Sequence, residues 1–422
     1  MNTQRQQRTI NFAALATTGV LVLTACGGGG DNAGSDNGPV NLRMTVWSGA
    51  PEHLKLLDGI AAEYRKTNPD VKSIKFDVLP VENYTETLTT QIAGGKSPDL
   101  AWIFENSAPD FVSSGALKEV KDDEDVLPAA KEIWQQDGKL YAYPFSTSPF
   151  GVFVNTDMLK KAGQPTPADL IKQGKWTWDE ATAMGAAVND KTGKTGIVIR
   201  DFDYKSWDNL ASYWDGWGAE AWSADGKTCG FDKPEMVQAM TSLHKAIFED
   251  EAMLAPGTTA DFFAGESAMT VTQMSRASLL TDKFAWDFVP LPEGPKGKYA
   301  VTGQAGIAVL AKGQHPDAAA DFHAFMTNKT NAAKLGAYFP QARSSQLNAA
   351  ALAKSNAKLS EKQLSDVVIE GIKNGKVKPV HIGQAEIYAA VRSELDSLWK
   401  PQADVPKVLT GVCDAIKPQL EQ

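Results

Sequence analysis

The chain has 422 residues, 42 Lys and Arg against 51 Asp and Glu, and a net charge of −9. That acidic balance lacks the basic face with which nucleic-acid binders displace counterions, so nucleic acid is not expected as a partner. With 43% hydrophobic and 22% charged residues the chain is not disordered, and its 3 Cys exclude a disulfide-dense scaffold. The length suits two domains, or one large fold divided by a cleft.

Residues 1–22 read as a signal peptide: Arg5 and Arg8 precede the apolar stretch Phe12 to Leu23, which is too short to span a bilayer. Leu23-Thr24-Ala25-Cys26 is similar to the bacterial lipobox, in which the Cys is lipidated and becomes the new N-terminus. The expected layout is a signal peptide over 1–25, lipidation at Cys26 and a flexible Gly/Asp/Asn/Ser-rich tether over 26–40. Two acyl chains would then hold the protein at the outer face of the bacterial cell membrane. Outside the cytosol the remaining Cys229 and Cys413 are expected to pair, tying down the C-terminal helical segment.

Leu42, Met44 and Val46 alternate with polar residues and predict a half-buried strand ending at Trp47. Leu54, Leu57, Ala61 and Tyr64 share one helical face up to the stop at Asn68-Pro69. Ile74 to Val78 predicts a second strand, 83–93 a helix ended by Gly94-Gly95, and Leu100–Phe104 a buried strand. Further strands are expected at 151–155, 197–199, 268–272, 287–289 and 307–310, with helices at 316–327 and 384–400. Alternating strands and helices imply an α/β chain with a parallel-rich sheet covered on both faces. The acidic run Asp122–Asp125 lacks the spacing of a calcium loop and reads as a solvated loop.

The chain has no G-x-S-x-G, H-E-x-x-H, C-x-x-C or P-loop motif, and its 5 His show no metal spacing, so neither metal nor cofactor is expected. His315 and His323 read as structural. Tyr204, Trp207, Trp214 and Trp217 are the densest aromatic cluster, more than a helix face needs, and are read as stacking candidates for a ligand. Trp176 and Trp178 read instead as packing residues, with Thr177 capping a helix.

Several stretches together resemble the extracellular solute-binding proteins of ABC importers, in the sugar-binding branch that includes maltose-binding protein. They are Thr45-Val46-Trp47-Ser48, Tyr84 to Trp102, Leu140 to Asn155, Trp176 to Glu180, Phe263 to Thr270 and His315 to Phe325. The resemblance implies two α/β lobes of the type II periplasmic-binding-protein fold, joined by hinge strands with the ligand in the cleft. It divides the chain into 41–147 plus 304–345 in one lobe and 148–303 plus 346–422 in the other. It further implies a non-enzymatic, monomeric receptor that passes a sugar or oligosaccharide to the transmembrane subunits of a permease. A secreted glycoside hydrolase, or a receptor for a non-sugar solute such as a glycerol phosphodiester or polyamine, stands as the alternative.

A sugar offers an apolar ring face and a rim of hydroxyls, so its site needs flat aromatics and buried polar groups. By position in the family pattern the candidates are Trp47 and Ser48 after the first strand, Glu105 and Asn106 after the third, and Ser146 and Thr147 at the first crossover. Gly303 and Gln304 sit at the returning crossover, and Arg343 and Tyr388 border the cleft. Met274 and Arg276 stand where relatives carry an aromatic-containing turn, and Arg276 is read as a fork for hydroxyls or a carboxylate.

Overall fold

The computed structural model describes residues 39–199, 206–255, 258–356 and 358–421. The segment 1–38 with Cys26, and the candidate Tyr204, lie outside these residues.

Strand β1 (Val40–Val46) buries Leu42, Met44 and Val46, as its alternation requires, and starts one residue inside the expected tether. Helix α1 (Pro51–Thr67) opens on a proline, whose missing N–H costs nothing in a first turn, and turns Leu57, Ile60, Ala61 and Tyr64 inward. Strand β2 (Val71–Val78), helix α2 (Tyr84–Ala93) and strand β3 (Leu100–Phe104) follow, and β1 lies between β2 and β3, parallel to both. Their carboxyl ends therefore face the same way, carrying Trp47-Ser48 and Glu105-Asn106 to one edge.

Strand β4 (Ala142–Asn155) is 14 residues long and buried throughout except at Ser146. Covered on both faces, it shows no alternation. After it come helix α3 (Trp178–Thr192), strand β5 (Thr195–Ile199), helix α4 (Pro234–Phe248), and strands β6 (Ser267–Gln273), β7 (Trp286–Val289) and β8 (Val301–Leu310). The first half of β4 pairs antiparallel with β8, and the second half with β6 and β7. The sheet path is β2-β1-β3-β8-β4-β6-β5. It is mixed rather than parallel-rich, because β4 and β8 both run against their neighbours. The register of β4 and β8 slips at Phe145, between the Ser146–Ala305 and Pro144–Gly306 pairs, where Pro144 has no N–H for the ladder.

Helices α5 (Pro316–Met326), α6 (Gln384–Leu395) and α7 (Val405–Leu420) complete the main elements. Helix α6 ends before the expected residue 400; Leu398 stays buried in the turn that follows, and Pro401 bars Lys400 from helical geometry. The buried apolar side chains fall into two clusters. One gathers β1–β3, α1, α5, most of β8 and Phe145 of β4; Leu359, Leu364, Val367, Val368 and Ile372 join it. The other gathers α3, β5, α4, α6, α7 and Phe150, Val152 and Val154 of β4. Strand β4 thus contributes to both cores.

Cys229 and Cys413 form a disulfide with Cα atoms 5.5 Å apart, fastening α7 to the segment before α4. Trp176 and Trp178 are buried, with indole N–H groups donating to the Pro290 carbonyl and the Tyr299 hydroxyl at 2.8 Å each. The Thr177 hydroxyl accepts from the Glu180 N–H, capping α3.

Two further expectations need correction. The acidic run is not merely solvated: Asp123 and Asp125 grip the Arg343 guanidinium at 2.6 and 3.3 Å, and Asp122 pairs with Lys131. Arg343 is 2% exposed and also donates to the Thr327 carbonyl and the Tyr143 hydroxyl. These bonds make Arg343, expected to border the cleft, a pin inside the fold.

Candidate functional site

At the carboxyl end of β1, Trp47 stacks on Phe104 from the end of β3, with ring centroids 4.1 Å apart and planes 18° from parallel. Tyr84 and Trp102 meet Trp47 edge-on at 5.3 and 4.7 Å and hold the ring in place. Both stacked rings are only half-buried, so aromatic surface remains available. In open α/β sheets, ligands bind beyond the carboxyl ends of strands, where this pair sits. Ser48 is turned aside: its hydroxyl is 2.6 Å from His53 Nδ1.

Glu105 and Asn106 begin the short helical turn after β3. The Glu105 carboxylate is buried and lies 3.0 Å from the Lys378 ammonium. Lys378 follows the two-residue strand Lys376–Val377 that pairs with the start of β8. Its ammonium also meets Asp208 Oδ2 at 2.6 Å and Asn209 Oδ1 at 3.1 Å. Burial alone would lower this ammonium's pKa, but Asp208 and Glu105 outweigh it and hold it above the ordinary lysine value. Glu105 belongs to the β3 end of the first core, while Asp208 sits between Trp207 and Leu210 of the second. A second contact of this kind is Asp110 Oδ1, which accepts the Gly383 N–H at 2.7 Å.

The Tyr388 ring lies 5.0 Å from Trp207, and its hydroxyl rests against Asp208 and Asn106. Burial first, then the charges of Asp208 and Glu105, push its phenol well above the ordinary value, so it remains a hydroxyl. Gly303 faces Glu105: a Cβ there would fall 3.5 Å from Glu105 Oε1, an ordinary contact, and 1.9 Å from Gln273 Nε2, the end of a flexible side chain that would have to move.

The structure therefore brings together Trp47, Glu105, Asn106, Gly303, Trp207 and Tyr388, and adds Phe104, Asp208, Asn209 and Lys378. The last three carry no sequence periodicity or motif. The one available signal was Asp208-Asn209 directly after Trp207 in an aromatic segment. Gln304 and Thr147 are cross-strand partners on the two long strands; Gln304 Oε1 accepts the Trp134 indole N–H at 3.1 Å. Ser146 is half-buried opposite Ala305.

The other aromatic candidates are packed inside the fold. Trp214 is 0% exposed inside the second core, and Trp217 is buried with one face stacked on Tyr213 at 4.7 Å. Trp207 is also buried, packed against Phe231 and Trp214 as well as Tyr388. Met274 is buried in the first core, and Arg276 is half-buried beside it in the turn Met274–Leu279.

Several buried polar atoms make no hydrogen bond among the described residues: Asp208 Oδ1, the Trp207 indole N–H, and the hydroxyls of Thr147 and Ser148. Buried polar groups are normally paired, so these are groups a ligand or water would satisfy. No grouping of His, Cys, Asp and Glu suited to a metal occurs among the described residues.

Residues 50–333 match the model of the bacterial extracellular solute-binding protein family. The chain belongs to this family. Its members are extracytoplasmic solute-binding proteins rather than enzymes, and no helix among the described residues of this one is long and apolar enough to cross a membrane. By sequence this solute-binding protein is similar to an arabinooligosaccharide-binding protein of Halalkalibacterium halodurans, with 23% identity over 67% of this chain and 66% of that one. It is also similar to an sn-glycerol-3-phosphate-binding periplasmic protein of Salmonella paratyphi A, with 24% identity over 66% of this chain and 69% of the other. The chain spans about two thirds of the length of the curated relatives it matches. In structure it is similar to the cyclic alpha-maltosyl-1,6-maltose binding protein of Arthrobacter globiformis, with TM-score 0.76, 19% identity, and coverage of 91% of this chain and 100% of that one. That likeness establishes the fold as the two-lobed periplasmic-binding-protein architecture.

Proposed function

We propose that this solute-binding protein captures a sugar or oligosaccharide between its lobes and delivers it to the permease of an ABC importer. The observation that carries the reading is the half-exposed Trp47–Phe104 stack beside the buried carboxylates of Glu105 and Asp208. The rings suit the apolar face of a sugar and the carboxylates its hydroxyls. Strands β4 and β8, which cross between the cores, are the hinge about which closure signals a loaded state without chemistry. The lobes follow the division 41–147 plus 304–345 and 148–303 plus 346–422, with the helices around 359–372 lying along the first core. The protein acts as a monomer, without catalysis, and is held to the membrane by lipid on Cys26.

A glycerol phosphodiester is the second reading, favoured by the similarity to the sn-glycerol-3-phosphate-binding protein. Calorimetry of the purified protein against mono- and oligosaccharides and glycerol phosphodiesters separates the two. Saturable binding of a sugar without release of reducing ends supports capture; binding of phosphodiesters alone refutes the sugar reading.

A further inference from the structure

Resting on the sugar reading above, we infer that this site selects by charge: Asp208 Oδ1 accepts from hydroxyls of an uncharged sugar, and the cluster around it turns away phosphate- and carboxylate-bearing solutes.

Lys378 is the ammonium at the centre of the cluster. It has three N–H donors and three close acceptors: Glu105 Oε1 at 3.0 Å, Asp208 Oδ2 at 2.6 Å and Asn209 Oδ1 at 3.1 Å. No donor is left over for an incoming anion. Two carboxylates share this one ammonium, so the cluster as a whole is negative. It is also sheltered from water, with Asp208 1% exposed, Glu105 7%, Asn209 5% and Lys378 8%. Screening that would soften repulsion at a surface is weak there.

Asp208 supplies the second observation. One of its oxygens is bound to Lys378, while Oδ1 is buried and makes no hydrogen bond among the described residues. A buried carboxylate oxygen can only accept, so its missing partner must be a donor. The Tyr388 hydroxyl reaches the same carboxylate, and its ring lies 5.0 Å from that of Trp207. The unpaired Trp207 indole N–H could serve a sugar's acceptor oxygen. A neutral sugar offers both kinds of group; a phosphate offers acceptors where acceptors already stand. Arg276, half-buried in the turn after β6, is the residue read from the sequence as a fork for hydroxyls or a carboxylate. The experiment therefore includes it.

The test is calorimetry on the purified protein with neutral and anionic counterparts: glucose and glucose 6-phosphate, sucrose and sucrose 6-phosphate, maltose, lactose, arabinobiose, glycerophosphocholine and sn-glycerol 3-phosphate. The expected result is that a neutral sugar binds and that the phosphorylated compounds bind at least 100-fold more weakly. Asp208→Asn, which keeps the shape but turns an acceptor pair into a mixed amide, should weaken the neutral sugar at least 30-fold. The comparison within the parent protein stands even if that variant fails to fold. Binding of a phosphorylated compound as tightly as a neutral one, above all if Arg276→Gln abolishes it, overturns the inference. So does a neutral sugar held equally by the parent and Asp208→Asn. If neutral sugars bind but charge makes no difference, this inference alone falls; if none of them binds, the sugar reading falls with it.

Discussion

Lys378→Met is the perturbation most sharply constrained by the geometry. Methionine keeps most of the stem length and deletes the ammonium. Three buried acceptors then lose their donor at once: Glu105, Asp208 and Asn209, at 3.0, 2.6 and 3.1 Å. Breaking a buried ion pair by removing one partner costs roughly 3–5 kcal/mol, because an uncompensated charge is left in a medium of low polarity. Here two carboxylates are left facing each other, which places the expected loss in the upper part of that range. The control is Lys376→Met two residues away, whose pair with Glu220 is solvent-exposed, with side chains 68% and 55% accessible. Exposed pairs contribute about 0–1 kcal/mol, so this variant should be nearly neutral. Replacing all three charges together, as Glu105→Gln, Asp208→Asn and Lys378→Met, should recover most of the loss, since the penalty comes from unpaired charge rather than from lost volume. Urea unfolding followed by tryptophan fluorescence reads all of these. A Lys378→Met protein within about 1 kcal/mol of the parent, or no worse than Lys376→Met, would refute the reasoning.

Burial lowers the pKa of His323 to about 4, with the Ile307 carbonyl 3.0 Å from Nε2 opposing the shift. Its neutral form is favoured on folding, so its contribution is complete above the unfolded value near 6.5 and is lost as pH falls toward 4. The slope is worth on the order of 3 kcal/mol, and His323→Leu should flatten the stability profile of the parent between those pH values. The disulfide joining Cys229 and Cys413 predicts no free thiol from either residue in denatured, unreduced protein, and its reduction should cost roughly 2–4 kcal/mol; thiol titration giving a signal from both would contradict it. Cys26→Ala should abolish incorporation of labelled fatty acid, and continued labelling would remove the lipid anchor from the account.

The framework of the fold was legible where periodicity was strong. The alternation of Leu42, Met44 and Val46 and the helical face through Leu57, Ala61 and Tyr64 each report a single buried side. Strand β4 and the first half of β8 were less legible, because strands covered on both faces do not alternate and the prolines and glycines within them look like turns. At the site, Trp47 and Glu105 could be placed because they follow strands whose ends define an edge. Lys378 could not: it is 170 positions from Asp208 and 273 from Glu105, and nothing local marks a lysine that will be buried. The aromatic segment misled for a physical reason. Trp214 and Trp217 are large enough to build a core by themselves, and density of rings along the chain does not distinguish a packed cluster from an exposed platform. Arg343 was expected to border the cleft because nothing local marks its two aspartate partners, which lie more than 200 positions earlier.

The measurement that bears most directly on sugar capture is calorimetric titration of the parent and Trp47→Ala with a neutral oligosaccharide, with circular dichroism confirming that the variant folds. Micromolar binding requires only about −8 kcal/mol, within reach of a stacked ring and several buried hydrogen bonds. Loss of the Trp47 face should weaken it by roughly 2–4 kcal/mol, as for a binding hot spot. Binding that Trp47→Ala leaves within twofold of the parent would contradict the account, as would hydrolysis of the sugar by the parent.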